Sequence, residues 1–170
     1  MSKEDKKIAF IMDIDGVLTD GTFLYDSEGK KYKRFGPDDA DALKMIKDEV
    51  SLVFCSADHR GFPISEKRVN DMGYPLNYVK TKERLQWIND NYPKDEWTRI
   101  YMGDSFVDVP IMLGVDDSIC PGDAHELAKK VAGYVCNYGG GRRAVADAVF
   151  HIMKKYLDRD IEKELIGENK

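Results

Sequence analysis

The chain has 170 residues, with 26 lysine and arginine residues against 31 aspartate and glutamate residues, which gives a formal net charge of −5. This length predicts one domain over residues 1–170. A mildly acidic chain has no general attraction for nucleic acid or for an anionic membrane surface, and we expect neither as a partner. No apolar run approaches the roughly 20 residues that cross a bilayer. The charged start Met1–Lys7 does not resemble a secretory signal.

The three cysteines lie far apart, without the paired spacing of zinc sites or redox pairs; they are Cys55, Cys120 and Cys136. Reduced thiols of this kind are typical of a cytoplasmic protein, and we predict that location.

Apolar runs predict the strands of a buried sheet. Ile8–Met12 is continuous rather than alternating, which indicates a parallel sheet that is covered on both faces. Further strands are predicted at Ser51–Cys55, Arg99–Met102, Asp117–Cys120 and Tyr134–Cys136.

Helical stretches separate these strands. Val145–Tyr156 has the clearest pattern, because its apolar residues recur on one helical face. The other predicted helices are Asp39–Lys47, Ile64–Met72, Glu83–Tyr92 and Val107–Leu113. This alternation predicts an α/β fold with a doubly wound, Rossmann-like parallel sheet.

One segment interrupts the alternation directly after the first strand. Residues 22–25 and 31–35 flank a turn at 26–30, which predicts an inserted β-hairpin over about residues 22–35. Lys30, Lys31 and Lys33 would protect an exposed sheet edge as solvated charges, or Lys33 would meet a substrate carboxylate together with Arg34 and Arg60. At the other end of the chain, residues 158–170 are predicted to form a charged tail.

Polar side chains end three of the predicted strands. Asp13 and Asp15 follow the first, Ser56 ends the second, and Asp104 follows the third. Each alone is usually a turn residue or a helix cap. Together they point into the crevice beyond the carboxyl ends of a parallel sheet, where ligands bind. A cluster of carboxylates without paired histidines or cysteines suits Mg²⁺ rather than zinc.

Two of these segments carry a family resemblance. Asp13–Gly21 resembles the first motif of the haloacid dehalogenase (HAD) superfamily, and Gly103–Asp108 resembles its fourth. With Lys33 and Phe35 after the hairpin, and Gly140–Val145 near the end, the chain resembles the capless phosphatases that act on 3-deoxy-D-manno-octulosonate (KDO) 8-phosphate. Phosphatases for sialic-acid-type 9-phosphates share this scaffold. The resemblance implies a HAD-like phosphomonoester hydrolase that depends on Mg²⁺.

The resemblance also implies a role for each matching residue. Asp13 would be the nucleophile that forms an aspartyl-phosphate, and Asp15 would be the general acid and then the base. Ser56 would bind a phosphoryl oxygen. The third motif requires a cation, and the candidates in order of preference are Arg84, Lys82 and Lys80.

The resemblance also implies which residues bind the metal and the substrate. The implied metal ligands are Asp13, Asp15 through its backbone carbonyl, Asp104 and Asp108. The positions expected to bind substrate are Gly16, Ala57, Arg60 and Lys80.

Several positions depart from the family pattern, among them Ala40 after Asp39 and Arg143 near the end, and one departure bears on the substrate. Asp58 stands where the octulosonate enzymes carry an arginine, and Arg60 is the candidate to replace it. The substrate therefore stays open between KDO 8-phosphate, a nine-carbon sialic-acid-type 9-phosphate and another small phosphate ester. A catalytically weak, oligomer-forming HAD-like module is the further alternative.

In HAD phosphatases a cap domain is inserted either after the first motif or between the second and third motifs. In this chain both segments are too short for a cap. In the family that the chain resembles, four subunits pair their hairpins and each site is covered by a neighbour. The resemblance therefore implies a homotetramer that acts on a phosphorylated sugar acid.

Overall fold

A computed structural model describes residues 6–167 of the chain. Most of the charged N-terminal segment and the last three residues of the predicted tail lie outside the described residues. The strands are β1 (Lys7–Met12), β2 (Leu24–Asp26), β3 (Gly29–Tyr32), β4 (Val50–Ser56), β5 (Leu76–Tyr78), β6 (Trp97–Met102), β7 (Asp117–Cys120) and β8 (Tyr134–Val135). The helices are α1 (Asp38–Lys44), α2 (Phe62–Asp71), α3 (Thr81–Asn91), α4 (Val109–Gly114), α5 (Glu126–Val131), α6 (Ala144–Tyr156) and α7 (Ile161–Ile166).

Six strands form one sheet in the order β5-β4-β1-β6-β7-β8, and every neighbouring pair is parallel. The central strand β1 is buried on both faces. Phe10 and Met12 belong to one core cluster, while Ala9 and Ile11 belong to the other. Alternate side chains of a strand point to opposite faces, so this strand needs apolar residues at every position. The predicted doubly wound α/β fold is confirmed.

Helices cover both faces of the sheet. The helix α6, which showed the clearest sequence pattern, packs against α1 on the first face, where Leu43 and Val149 are fully buried. The second face is covered in part by Ile88 of α3 and Ala128 of α5, which are also fully buried. Among residues 6–167, no helix combines the length and the apolar character that crossing a membrane requires.

Three local details differ from the predicted elements. The helix predicted at Val107–Leu113 begins as a tight 3-10 turn at Phe106–Asp108, and α4 follows with Pro110 in its first turn, where no amide donor is needed. The three-residue strand β5 lies in a segment without an apolar run, so no pattern could place it. The predicted tail contains α7, whose first turn is capped by the Asp160 side chain.

The segment inserted after β1 is a two-stranded antiparallel ribbon of β2 and β3. Its turn is narrower than predicted, because Asp26 pairs directly with Gly29. The Asp26 carboxylate accepts the Glu28 N–H at 2.8 Å, and Gly29 has a φ of 122°, a conformation that favours glycine. A bridge between Thr19 and Phe35 ties the base of the ribbon to the loop after β1.

Candidate active site

The candidate site lies at the carboxyl ends of β4, β1 and β6, which are neighbours in the sheet. Asp13 follows β1 directly, and its N–H donates to the Met102 carbonyl of β6 at 3.0 Å. Ser56 is the last residue of β4, and Asp104 comes two residues after β6. Because parallel strands end at the same edge, all three polar residues lie at one edge of the sheet.

Three carboxylates form a cluster at this edge. Asp13, Asp104 and Asp108 each have one oxygen within 4.8 Å of the others. Asp108 is buried and fixed on both sides: its Oδ1 accepts from the Tyr101 hydroxyl at 2.7 Å, and its Oδ2 accepts the Ser105 N–H at 3.0 Å. The cluster is therefore held by strand β6 and by the turn that follows it.

The loop after β1 packs so closely against its neighbours that the glycines at this contact leave no room for a side chain. A Cβ on Gly16 would lie 2.0 Å from Asp104 Oδ2, and the φ of Gly16 is 79°. On the other side, a Cβ on Gly140 would lie 2.0 Å from the Gly16 carbonyl oxygen. The Gly141 N–H donates to the Val17 carbonyl at 3.0 Å. These glycines hold the loop in place beside Asp104.

Arg84, on α3, supplies the positive charge that faces Asp13. Its Nη1 donates to Asp13 Oδ1 at 3.0 Å, and its Nη2 donates to the Val79 carbonyl at 3.3 Å. Arg84 is only 1% exposed, so its guanidinium is shielded from water. A buried guanidinium stays charged and offers its donors in a fixed plane.

The two lysines that were alternatives to Arg84 lie elsewhere. Lys82 is exposed in the first turn of α3. Lys80 is exposed just before this helix, and its ammonium group lies 3.6 Å from the Glu83 carboxylate. The structure therefore brings Arg84, rather than Lys82 or Lys80, to Asp13.

The loop after β4 carries the remaining predicted residues. Ser56 is buried, and its Oγ accepts the Asp58 N–H at 3.1 Å. Ala57 is half-buried and Arg60 is exposed. Arg60 thus stays on the surface of this loop, while Asp58 occupies its inner side.

Sequence reasoning missed the partners of Asp15. The Lys33 ammonium lies 2.7 Å from Asp15 Oδ1, 2.8 Å from Asp58 Oδ2 and 2.8 Å from Ser65 Oγ, and the Lys33 side chain has no exposed surface. Lys30 also pairs with Asp58, and its side chain is 4% exposed. The expectation that these two hairpin lysines are solvated was wrong. An acid in place of the usual arginine was the available signal, since a buried carboxylate requires a nearby cation.

Negative charge exceeds positive charge at the strand ends. Burial raises the pKa of Asp13 to about 7, against the lowering effect of Arg84. Burial, together with the charges of Asp13 and Asp108, raises the pKa of Asp104 to about 7. Three clustered carboxylates that face one guanidinium can take up a further cation, and an all-oxygen set of this kind fits Mg²⁺.

These raised pKa values predict a pH-dependent effect of Mg²⁺ on stability. Between about pH 4 and pH 7 the folded chain binds more protons at Asp13 and Asp104 than the unfolded chain does, so this pair lowers stability as the pH rises. Mg²⁺ requires the ionised carboxylates and should offset this loss. We expect Mg²⁺ to raise the melting temperature by about 3 °C or more at pH 8 and by less at pH 5.

Calorimetry with and without Mg²⁺ measures this difference. The Asp104→Asn variant serves as the comparison, because it removes one of the two titrating groups and should shrink the effect of Mg²⁺ at pH 8. An equal effect of Mg²⁺ at both pH values would contradict the prediction.

Comparisons with known proteins identify relatives over most of the chain. No protein-family model matches it. The 3-deoxy-D-manno-octulosonate 8-phosphate phosphatase of Haemophilus influenzae is 30% identical over 149 residues, which cover 85% of this chain and 82% of that protein.

Solved structures show the same fold. The cobalt-bound form of the Haemophilus influenzae phosphatase superposes with a TM-score of 0.76 at 29% identity, and the match covers 89% of each chain. The Moraxella catarrhalis phosphatase, solved in complex with magnesium, phosphate and KDO, has a TM-score of 0.76 at 24% identity and covers 89% of this chain and 88% of its own.

The doubly wound sheet that this chain shares with these relatives, together with the aspartates clustered at its own strand ends, defines a phosphomonoester hydrolase of the HAD type. The resemblance seen in Asp13–Gly21 and Gly103–Asp108 is therefore confirmed. More narrowly, the chain belongs to the family of 3-deoxy-D-manno-octulosonate 8-phosphate phosphatases.

Proposed function

We propose that this phosphatase hydrolyses the phosphate ester of a 2-keto-3-deoxy sugar acid, either KDO 8-phosphate or a nine-carbon sialic-acid-type 9-phosphate. The observation that carries the proposal is the placement of Asp13, a largely buried carboxylate at the end of β1, 3.0 Å from the Arg84 guanidinium and clustered with Asp104. The substrate class comes from the relatives, which are KDO 8-phosphate phosphatases.

The proposed reaction has two steps. In the first, Asp13 attacks phosphorus, a carboxylate–phosphorus bond forms, the bond to the sugar oxygen breaks, and Asp15 gives that oxygen a proton. In the second, Asp15 takes a proton from water, the water oxygen attacks phosphorus, and Asp13 and inorganic phosphate are released. Arg84 and Ser56 would bind the phosphoryl oxygens and reduce their repulsion from Asp13.

The proposed cofactor is Mg²⁺. The residues that would hold it are the side chains of Asp13, Asp104 and Asp108 and the backbone carbonyl of Asp15. When bound, the ion would neutralise part of the charge on the phosphate and the carboxylates.

The substrate would enter from the side of the loop after β4. We place Gly16 and Ala57 next to the phosphate, and Arg60, Lys80 and Lys82 at the entrance, because all three of these side chains are exposed there or on the adjoining turn of α3. These positions can contact a sugar acid without rearrangement of the core.

Residues 1–170 would form one domain that assembles as a homotetramer, in which a neighbour's ribbon covers each site. Large apolar side chains on the ribbon are exposed, and a cluster of this kind is typical of an interaction surface; they are Phe23, Leu24, Tyr25 and Tyr32. Free, buried cysteines agree with a location in the reducing cytoplasm. Sedimentation of the active protein as a monomer would contradict the assembly.

A substrate panel tests the proposal. Release of inorganic phosphate is measured with KDO 8-phosphate, a nine-carbon 9-phosphate and small esters, with Mg²⁺ and with a chelator. The highest kcat/KM should belong to one of the two sugar acid phosphates and should depend on Mg²⁺. A preference for an unrelated ester would overturn the substrate class, and absence of turnover on every ester would favour the weak, oligomer-forming module.

A further inference from the structure

A buried tyrosine connects the two charged parts of the site. Arg84 Nη1 donates to the Tyr101 hydroxyl oxygen at 2.7 Å, and the same hydroxyl donates to Asp108 Oδ1 at 2.7 Å. Tyr101 has no exposed surface, and Arg84 and Asp108 are each 1% exposed. A single phenol therefore lies between a buried cation and a buried carboxylate.

The Nη1 atom of Arg84 has no spare hydrogen to donate. Nη1 carries two hydrogens; one is directed to Asp13 Oδ1 at 3.0 Å and the other to Tyr101. Asp108 Oδ1 lies only 3.7 Å from the same nitrogen. Asp108 is thus the second carboxylate within reach of Arg84, and the phenol occupies the donor that a direct ion pair would use.

Attraction between buried charges is strong, because little water screens it. Without the hydroxyl, the free N–H of Arg84 would have the Asp108 carboxylate within reach, at 3.7 Å from the nitrogen, and Asp108 would lose a donor. Both effects would draw the guanidinium away from Asp13 and toward Asp108. The aromatic ring alone would keep the core packing but could not prevent this shift.

We infer that the Tyr101 hydroxyl is a positioning group, which keeps Arg84 on the Asp13 side and prevents a direct Arg84–Asp108 ion pair. This inference rests on the proposed function, in which Arg84 binds the phosphoryl group. Tyr101 acts through Arg84 and has no contact of its own with the phosphate.

The Tyr101→Phe variant tests the inference, because it removes the hydroxyl and keeps the ring. We expect binding of inorganic phosphate, measured by calorimetry at saturating Mg²⁺, to weaken about tenfold, and kcat/KM to fall by a similar factor. Tyr156→Phe is the matched control: the Tyr156 hydroxyl also donates to a carboxylate, Asp117, at 2.7 Å, but this pair is not part of the network around Arg84. The control should change phosphate binding less than twofold.

Repeating the substitution in the Asp108→Asn variant distinguishes a positioning role of the hydroxyl from a role in packing. If the hydroxyl acts by keeping Arg84 away from Asp108, it should matter little once Asp108 is uncharged. Adding Tyr101→Phe to Asp108→Asn should therefore weaken phosphate binding less than threefold relative to Asp108→Asn alone. This comparison also serves if the single Tyr101 variant does not fold.

The outcomes are distinct. A tenfold effect of Tyr101→Phe in both backgrounds, or a change of less than twofold in the wild-type background, would overturn the inference. A wild-type protein without phosphatase activity would instead overturn the proposed function, while phosphate binding would still report on the position of Arg84.

Discussion

Replacing Asp13 with asparagine is expected to lower kcat by about 10⁴-fold or more for every phosphate ester, since removal of a nucleophile has effects of this order in other hydrolases. The amide keeps the size of the carboxyl group, but it lacks the charge needed to form a bond to phosphorus. Folding should survive. Burial raises the pKa of Asp13 to about 7, so the ionised group is costly in the folded state and a neutral amide removes that cost.

Three measurements check this expectation: the turnover rate, the melting temperature, and the radioactive phosphate that stays on the protein after an acid quench. The wild type should retain label and the Asp13 variant should retain none. Asp41→Asn is the control, because Asp41 is exposed and contacts only the Lys44 ammonium, at 2.8 Å, among the described ion pairs. A variant that keeps more than about 1% of the wild-type kcat would rule out Asp13 as the nucleophile.

The strand-end carboxylates could be predicted because their positions follow from local patterns. The continuous apolar run of β1 indicates a central strand, and the residue after it must lie at the carboxyl edge of the sheet. The same reasoning applies to Asp104 after β6. Because β1 and β6 are parallel neighbours, Asp13 and Asp104 lie at the same edge of the sheet. No knowledge of side-chain geometry is needed to predict this.

The cation was harder to predict from sequence, because Lys80, Lys82 and Arg84 lie within one short segment. Which of them faces the sheet depends on the residue at which α3 begins. The helix begins at Thr81, which leaves Lys82 in solvent and turns Arg84 toward the strands. Boundaries of this kind depend on tertiary packing, and sequence patterns place them only to within a few residues.

No local pattern predicts the contacts of Tyr101, and only the acid at position 58 signalled those of Lys33. Lys33 directly follows strand β3 of the two-stranded ribbon, where lysines are usually solvated, and its burial depends on Asp15 and Asp58 from two other loops. Tyr101 stands inside strand β6, where the sequence pattern predicts only an apolar strand at Arg99–Met102. Its hydroxyl acquires a role only because α3 brings Arg84 to the same place.

Replacing Asp15 with asparagine should separate two classes of substrate. For an alkyl phosphate ester, kcat/KM should fall about 10²- to 10⁴-fold, the usual contribution of a general acid, because the sugar oxygen is a poor leaving group without a proton. For p-nitrophenyl phosphate, whose phenolate leaves unprotonated, the fall should be less than about tenfold. The kcat should decrease for both esters, since Asp15 also activates water, and rapid-quench kinetics with p-nitrophenyl phosphate should show a burst of phosphoenzyme.

Asp58→Asn separates the chemistry of Asp15 from its ion pair. The Lys33 ammonium lies 2.7 Å from Asp15 and 2.8 Å from Asp58, so either substitution removes one partner from the same cation. A loss caused by a displaced Lys33 would slow alkyl and aryl esters equally in both variants. We expect only the Asp15 variant to discriminate between the esters, because only Asp15 gives a proton to the leaving oxygen. Equal losses on both esters in that variant would contradict the role of Asp15 as the acid and leave the role of Asp13 unchanged.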